Sequence, residues 1–327
     1  MNGYPDIRLR RLRWTAARRK LFDEPMPGPE KFLWPVFVRA GRDGRDPIEA
    51  MPGQFRYGVD GLLRDLENPA KTGIGGILLF GLEDNRRKDP QGSGAWRAGG
   101  PVQKAVKAVK KHYPDLAVFT DVCLCAYTSH GHCGTLRRDG QVDNDAACAR
   151  LAKVAVSHAE AGADGVAPSA MMDGQVAAIR RALAQAGCDD TLLMSYSTKF
   201  ASSLYGPFRE AERSAPRHGD RQGYQASCRD VATALRESEL DEQEGADILM
   251  VKPALFYLDV ISRLRGTTKL PIAAYNVSGE YSMLIAAAER GMGDLRAMAR
   301  ESIFAIRRAG ADLLISYWAN RYGELLS

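Results

Sequence analysis

Fourteen residues, DVCLCAYTSHGHCG from Asp121 to Gly134, hold three cysteines, two histidines and an aspartate. Cys123, Cys125 and Cys133 follow a C-x-C-x7-C spacing, unlike the C-x2-C pairs of common structural zinc modules. Three thiolates leave a tetrahedral zinc one ligand short. An open position suits a water or a substrate oxygen or nitrogen, which would make the metal catalytic or substrate-binding. His130 or His132 as a fourth ligand would close the site and make it structural.

Two lysines carry a second kind of chemistry. Lys252 in ILMVKP follows four apolar residues and precedes a proline, so it emerges from a buried wall, where a permanent charge is costly. Burial and nearby cations favour the neutral amine, the form that attacks a carbonyl to make a Schiff base. Lys199 in SYSTKF ends the preceding apolar run. Adjacent strands lie about 4.8 Å apart, so each ammonium would disfavour the other's protonation. Two such amines in one pocket imply two carbonyl substrates.

Both groups need a scaffold that aims them. Eight short apolar, β-branched runs alternate with helical patterns: 32–38, 74–81, 116–122, 164–169, 191–197, 247–253, 271–278 and 312–318. Near-continuous apolarity predicts strands buried on both faces. Helical stretches such as GPVQKAVKAVKKHY and NDAACARLAKVAVSHAEAG separate them. Three segments, EAGADGVAPS, EGADILMVKP and RAGADLLISYW, repeat a helix end, a capping glycine, Ala-Asp and a strand. No Gly-rich phosphate loop follows the first strand, so the pattern predicts an α/β fold, a (β/α)8 TIM barrel, in place of an open doubly wound sheet. Active sites of such barrels lie at the C-terminal strand ends. The polar residues there are Asp121 with the cysteines, Ser169, Ser197 and Lys199, Lys252, Ser278, and Ser316 with Tyr317.

The connection beginning FASSLYGPFREAERSAPRHGDRQGYQ is long for a barrel loop and rich in arginine, which predicts a lid over the mouth. Arg209 and Arg221 can grip a carboxylate by paired hydrogen bonds, with Gln225 alongside. At the other end of the chain, RLRRLRWTAARRK (8–20) concentrates seven basic residues. Charge alone leaves a nucleic-acid arm, a membrane-binding arm, a solvated tail and a subunit contact open. Leu9, Leu12 and Trp14, threaded among the arginines, favour the subunit contact. Residues 1–25 are therefore expected to be an arm on a neighbouring subunit and 26–327 the barrel.

The 327 residues are 45% hydrophobic and 26% charged with a formal net charge of +5, a globular composition that excludes disorder as the main state. No run reaches the ~20 apolar residues of a membrane span, and no apolar stretch follows the first basic residues, which predicts a cytoplasmic protein with reduced thiols and no membrane partner; the cysteine segment is nearly neutral and far in sequence from the basic run, which argues against a nucleic-acid partner.

Taken together, DVCLCAYTSHGHCG, APSAMMDGQVAAIR, MSYSTKFASSLYGPFREA, EGADILMVKPALFYLDVI and VSGEYSML resemble the porphobilinogen synthase (5-aminolevulinic acid dehydratase) family, over about residues 7 to 320. The resemblance implies a hydro-lyase of tetrapyrrole (heme) biosynthesis that condenses two 5-aminolevulinate molecules to porphobilinogen with loss of two waters. It implies Schiff bases on Lys252, for the substrate that becomes the propionate side, and on Lys199, for the acetate side. Ser278 and Tyr317 would hold the first carboxylate and Arg209, Arg221 and Gln225 the second. Cys123, Cys125 and Cys133 would bind Zn2+ at the acetate-side substrate, with Asp121 and Ser169 beside the reacting amine. The family also implies a homo-octamer and, at Glu237, a Mg2+ site at a subunit interface. The chain departs from common family forms at Ala170 and at SCRDV after Gln225. Two other readings use parts of the pattern: a class I aldolase, which needs one Schiff-base lysine and no thiolate metal, and a zinc and nucleic-acid module, which needs basic charge beside the cysteines.

Overall fold

Each of the eight apolar runs forms a strand, and the strands close on themselves. The computed structural model describes residues 6–41 and 43–327. Residues 1–5 of the expected arm lie outside the described residues. The sheet comprises β1 (Phe32–Arg39), β2 (Arg45–Pro47), β3 (Phe55–Tyr57), β4 (Gly76–Leu82), β5 (Ala117–Val122), β6 (Gly165–Pro168), β7 (Leu192–Lys199), β8 (Ile248–Lys252), β9 (Ile272–Asn276) and β10 (Leu313–Ser316). All neighbours from β4 to β10 pair in parallel, β1 pairs with β4, and β10 returns to β1 through Phe32↔Leu314 and Leu33↔Ile315. The result is the closed eight-stranded parallel barrel that the alternation predicts. The short hairpin of β2 and β3, appended to β1, was not legible in the apolar pattern, because Arg45–Pro47 is polar and exposed.

The helices are α1 (Ala16–Phe22), α2 (Val59–Asp65), α3 (Glu67–Thr72), α4 (Pro101–His112), α5 (Asn144–Glu160), α6 (Gln175–Gln185), α7 (Gly206–Glu212), α8 (Val231–Gln243), α9 (Leu258–Thr267), α10 (Ser278–Glu289), α11 (Leu295–Ala309) and α12 (Tyr322–Leu325). Asp143, Asp230 and Asp294 start α5, α8 and α11 by accepting from the backbone N–H three residues on, which satisfies one of the orphan donors of each first turn. Helices cover the outside of the barrel while side chains fill the inside, so β4 is buried along its whole length.

The Gly-Ala-Asp repeat has a physical role. Gly162, Gly245 and Gly310 take positive φ of 100°, 100° and 121°, which ends the helix and turns the chain inward. The aspartate two residues on then reaches back one strand. Asp164 accepts from Val118 N, Asp247 from Leu193 N and Asp312 from Ile272 N, at 2.7, 2.7 and 2.9 Å. Each carboxylate also pairs with a helix cation, Lys110, Arg180 or Arg265. The repeat thus stitches the N-terminal rim of the barrel, opposite the chemistry.

Residues 6–25 are exposed at every position. Thr15 caps α1 through Arg18 N, and Arg10 lies over the Trp14 ring at 5.0 Å. Ile7, Leu9, Leu12, Trp14, Leu21 and Phe22 are all more than half exposed. Among the described residues, no helix is long and apolar enough to cross a membrane.

Candidate active site

Lys199 and Lys252 end β7 and β8 and are register partners across the strand pair. The pairing depends on an irregularity. Ser195 sits opposite Leu249, but Thr198 sits opposite Val251, so one extra residue is accommodated in β7. Such a bulge changes which side chains face inward, and here it brings the second lysine level with the first. Both are buried, at 5% and 3% exposure.

Aromatic rings enclose the Lys252 amine. Its Nζ lies 4.3 Å from the Tyr275 ring centre, 4.7 Å from Phe208, 5.1 Å from Tyr196, 5.3 Å from Tyr205 and 6.0 Å from Phe80. Burial, reinforced by the nearby Lys199 charge, pushes this amine down to about 7. Lys199 Nζ donates to the Ser169 carbonyl and lies 5.4 Å from the Tyr196 ring. Asp121, at the end of β5, has a carboxyl pushed up to about 7 by burial and by the charge of Glu212, and its Oδ1 has no partner. The Lys252 amine and the Asp121 carboxyl, both brought near neutrality, therefore lie with Lys199 at the same end of the barrel.

The cysteines lie beside them. Cys123, Cys125 and Cys133 are buried, and their sulfurs fall within 4.8 Å of one another, the only such metal-ligating group of three or more among the described residues. Cys123 Sγ and Cys125 Sγ are 3.3 Å apart. Hydrogen bonds from Cys123 and Cys125 hold the Cys133 thiol well below its usual range, whereas contact with Cys123 and Cys133 and burial push Cys125 well up. Three buried thiols this close cannot all ionise without a cation between them, and a soft divalent metal that binds thiolates fits that need. The histidines do not close the set. His132 Nε2 contacts the His218 carbonyl and its Nδ1 the Tyr224 hydroxyl, at 2.9 and 3.2 Å, and His130 Nε2 contacts the Pro90 carbonyl.

The connection from β7 to β8 folds over this mouth and carries α7. Arg221 donates to the carbonyls of Gly131 and Ser214, and Arg217 N donates to the His130 carbonyl, which ties the lid to the cysteine loop. Arg209 Nε, Arg221 Nε and both amide atoms of Gln225 are buried with no partner. Buried polar atoms left unpaired are costly, and this set offers three donors from three residues, the complement of a carboxylate.

The last two expected carboxylate ligands are displaced from the strand ends where the apolar runs put them. β9 stops at Asn276, so Ser278 opens α10, and β10 stops at Ser316, so Tyr317 lies in the following 3-10 turn. The Ser278 hydroxyl accepts from Phe208 N at 3.0 Å, and Tyr317 shares a 3.0 Å hydrogen bond with Tyr275. Ser278 thus touches the lid and Tyr317 the barrel interior. Glu237 lies apart, half-buried on α8; burial and the nearby Asp173 and Glu244 raise its carboxyl.

Sequence reasoning missed the aromatic enclosure and Glu212. Tyr196 and Tyr275 were detectable as large polar-tipped side chains inside buried strands. Glu212, a lid glutamate with only 3% exposure, carries no signal that separates it from its solvated neighbours.

Comparison with known proteins adds an independent line. Residues 6–325 match the family model described as delta-aminolevulinic acid dehydratase. The chain is 51% identical to the delta-aminolevulinic acid dehydratase of Methanothermobacter thermautotrophicus over 97% of its length and 96% of the relative's. It is 50% identical to that of Escherichia coli over 95% of each. Among solved structures it is similar to the delta-aminolevulinic acid dehydratase (porphobilinogen synthase) of Toxoplasma gondii in complex with its reaction product porphobilinogen, with a TM-score of 0.94 and 41% identity, covering 96% of this chain and 90% of that one.

Proposed function

Since the chain belongs to the delta-aminolevulinic acid dehydratase family, a family of hydro-lyases of porphyrin biosynthesis, we propose that its two lysines anchor two molecules of 5-aminolevulinate as Schiff bases for condensation to porphobilinogen. The observation that carries this reading is the Lys252 amine, buried in aromatic rings, beside Lys199 and poised near neutrality.

A neutral Lys252 amine adds to the ketone of the first substrate, and loss of water with uptake of one proton at nitrogen leaves a cationic imine. The surrounding ring faces stabilise that cation, as they would the ammonium it replaces. Ser278 and Tyr317 hold its carboxylate. Lys199 receives the second substrate in the same way, with its carboxylate drawn to Arg209, Arg221 and Gln225, whose unpaired atoms support the assignment. Asp121, with Ser169 next to it in the cavity, accepts and returns protons as carbon and nitrogen bonds form. Cys123, Cys125 and Cys133 would hold Zn2+, which supplies Lewis acidity to the acetate-side substrate at a position the thiolates leave open. The thiolate cluster and the second lysine favour this reading over a class I aldolase.

We assign the exposed apolar side chains of the arm to a neighbouring subunit of a homo-octamer, and a Mg2+ to Glu237, where a divalent cation relieves the crowding with Asp173 and Glu244. The central test is chemical trapping. Borohydride added with 5-aminolevulinate leaves a reduced adduct, mapped by mass spectrometry mainly to Lys252. Lys252→Ala abolishes adduct and turnover, whereas Lys199→Ala keeps the first adduct and forms no product. An adduct confined to another lysine, or full activity in either variant, overturns the assignment.

A further inference from the structure

We propose that Glu212, on the lid, is a fourth ligand of the metal held by Cys123, Cys125 and Cys133 before substrate binds, and that substrate must displace it. The inference rests on the three-thiolate reading above.

Glu212 ends α7 with its side chain turned toward the cysteines. Its Oε2 accepts from Cys125 Sγ at 3.3 Å, and it forms no ion pair among the described residues. A buried carboxylate whose hydrogen-bond partner is a thiol, a weak donor, is weakly hydrogen-bonded, with Lys88 and Lys252 acting on its charge only at a distance. A cation placed between carboxylate and thiolates removes that deficit. Zn–S and Zn–O distances of ~2.3 and ~2.1 Å in a tetrahedron set neighbouring ligand atoms ~3.6 Å apart, close to the separation from Cys125. Only the three sulfurs lie mutually within 4.8 Å, so the carboxylate completes the set by turning about its own side-chain bonds.

The backbone around Glu212 is held for this purpose. Arg56 donates to the carbonyls of Ala211 and Glu210 at 2.8 and 3.0 Å, and Lys88 to that of Arg213 at 2.8 Å. Arg213 itself takes a left-handed φ of 52°, which ends α7 directly after Glu212. Arg209 sits three residues earlier, on the same face of the helix. One short helix thus carries both a group that grips substrate and a group that guards the metal, so substrate binding and opening of the metal site are mechanically linked.

The test compares full-length wild type with Glu212→Gln and Glu212→Ala without substrate. In protein loaded with Co2+, the visible ligand-field spectrum of both variants is expected to differ from wild type. Zinc affinity, measured by competition with a chromophoric chelator, is expected to fall at least by the ~10–100-fold that loss of even an outer partner of a metal ligand costs. The alanine variant leaves a gap and no unpaired amide, so a folding defect confined to the glutamine variant does not obscure the result. Superimposable Co2+ spectra and equal zinc affinities overturn the proposal while leaving three-thiolate binding intact. Zinc uptake undiminished in Cys133→Ala overturns the three-thiolate reading, and the proposal with it.

Discussion

Lys199 and Lys252 stand opposite each other on adjacent parallel strands because a single extra residue is absorbed between Ser195 and Thr198. Without it, Lys199 would fall one position out of step, and parity would send its side chain to the other face of the sheet. The charge of each lysine therefore acts on the other across one strand spacing.

A pH dependence follows. The reactive Lys252 amine is the neutral form, so the rate of adduct formation with 5-aminolevulinate should rise with pH through a midpoint near about 7. Lys199→Met removes the charge that helps hold this value down, so the midpoint should move up. Cyanoborohydride trapping followed by mass spectrometry over the neutral range measures both. A midpoint that stays in place or moves down would show that Lys199 does not tune Lys252.

Removing the metal should affect rate far more than folding. The cysteines sit on a barrel rim whose core is apolar and closed without them. Chelation or Cys133→Ala is expected to lower turnover on the order of 10²-fold or more, as loss of Lewis-acid stabilisation worth several kcal/mol implies. The thermal midpoint should shift by only a few degrees. Unfolding of the chelated protein would make the site structural.

Deleting residues 1–22 takes away Ile7, Leu9, Leu12, Trp14, Leu21 and Phe22, each of which is more than half exposed. The truncated protein should show a smaller mass by light scattering. Its specific activity should drop as protein concentration falls, since assembly follows mass action. Identical mass and activity at every concentration would remove the arm from the assembly.

The rim aspartates are expected to matter for stability and not for turnover. Asp247→Ala deletes a carboxylate bonded to Leu193 N and paired with Arg180. Its side chain is 41% exposed, so the cost should be roughly 1–2 kcal/mol, below that of a fully buried charged hydrogen bond. Denaturant unfolding gives the number. An unchanged midpoint would mean that the Gly-Ala-Asp repeat serves only to turn the chain.

The sequence by itself determined the eight strands, since each must be apolar on both faces to lie between a filled interior and a coat of helices. It determined the capping turns, because only glycine takes φ of 100° or more at low cost. It also determined the chemical types at the rim: thiols, amines and the arginines of the lid. Tertiary structure decided what these residues do to one another. The bulge in β7 aligns the lysines, and no local propensity specifies that an extra residue is absorbed at Tyr196 and Ser197. Ser278 passes from strand end to helix start because β9 stops at Asn276, two residues before the apolar run does. Glu212 lies buried at Cys125, 87 positions away in the chain, and its role depends on how the lid folds back over the barrel. Periodicity records which face of an element is buried; the distances between groups on different elements, which set their protonation and their reach to a common ligand, arise only when the barrel closes.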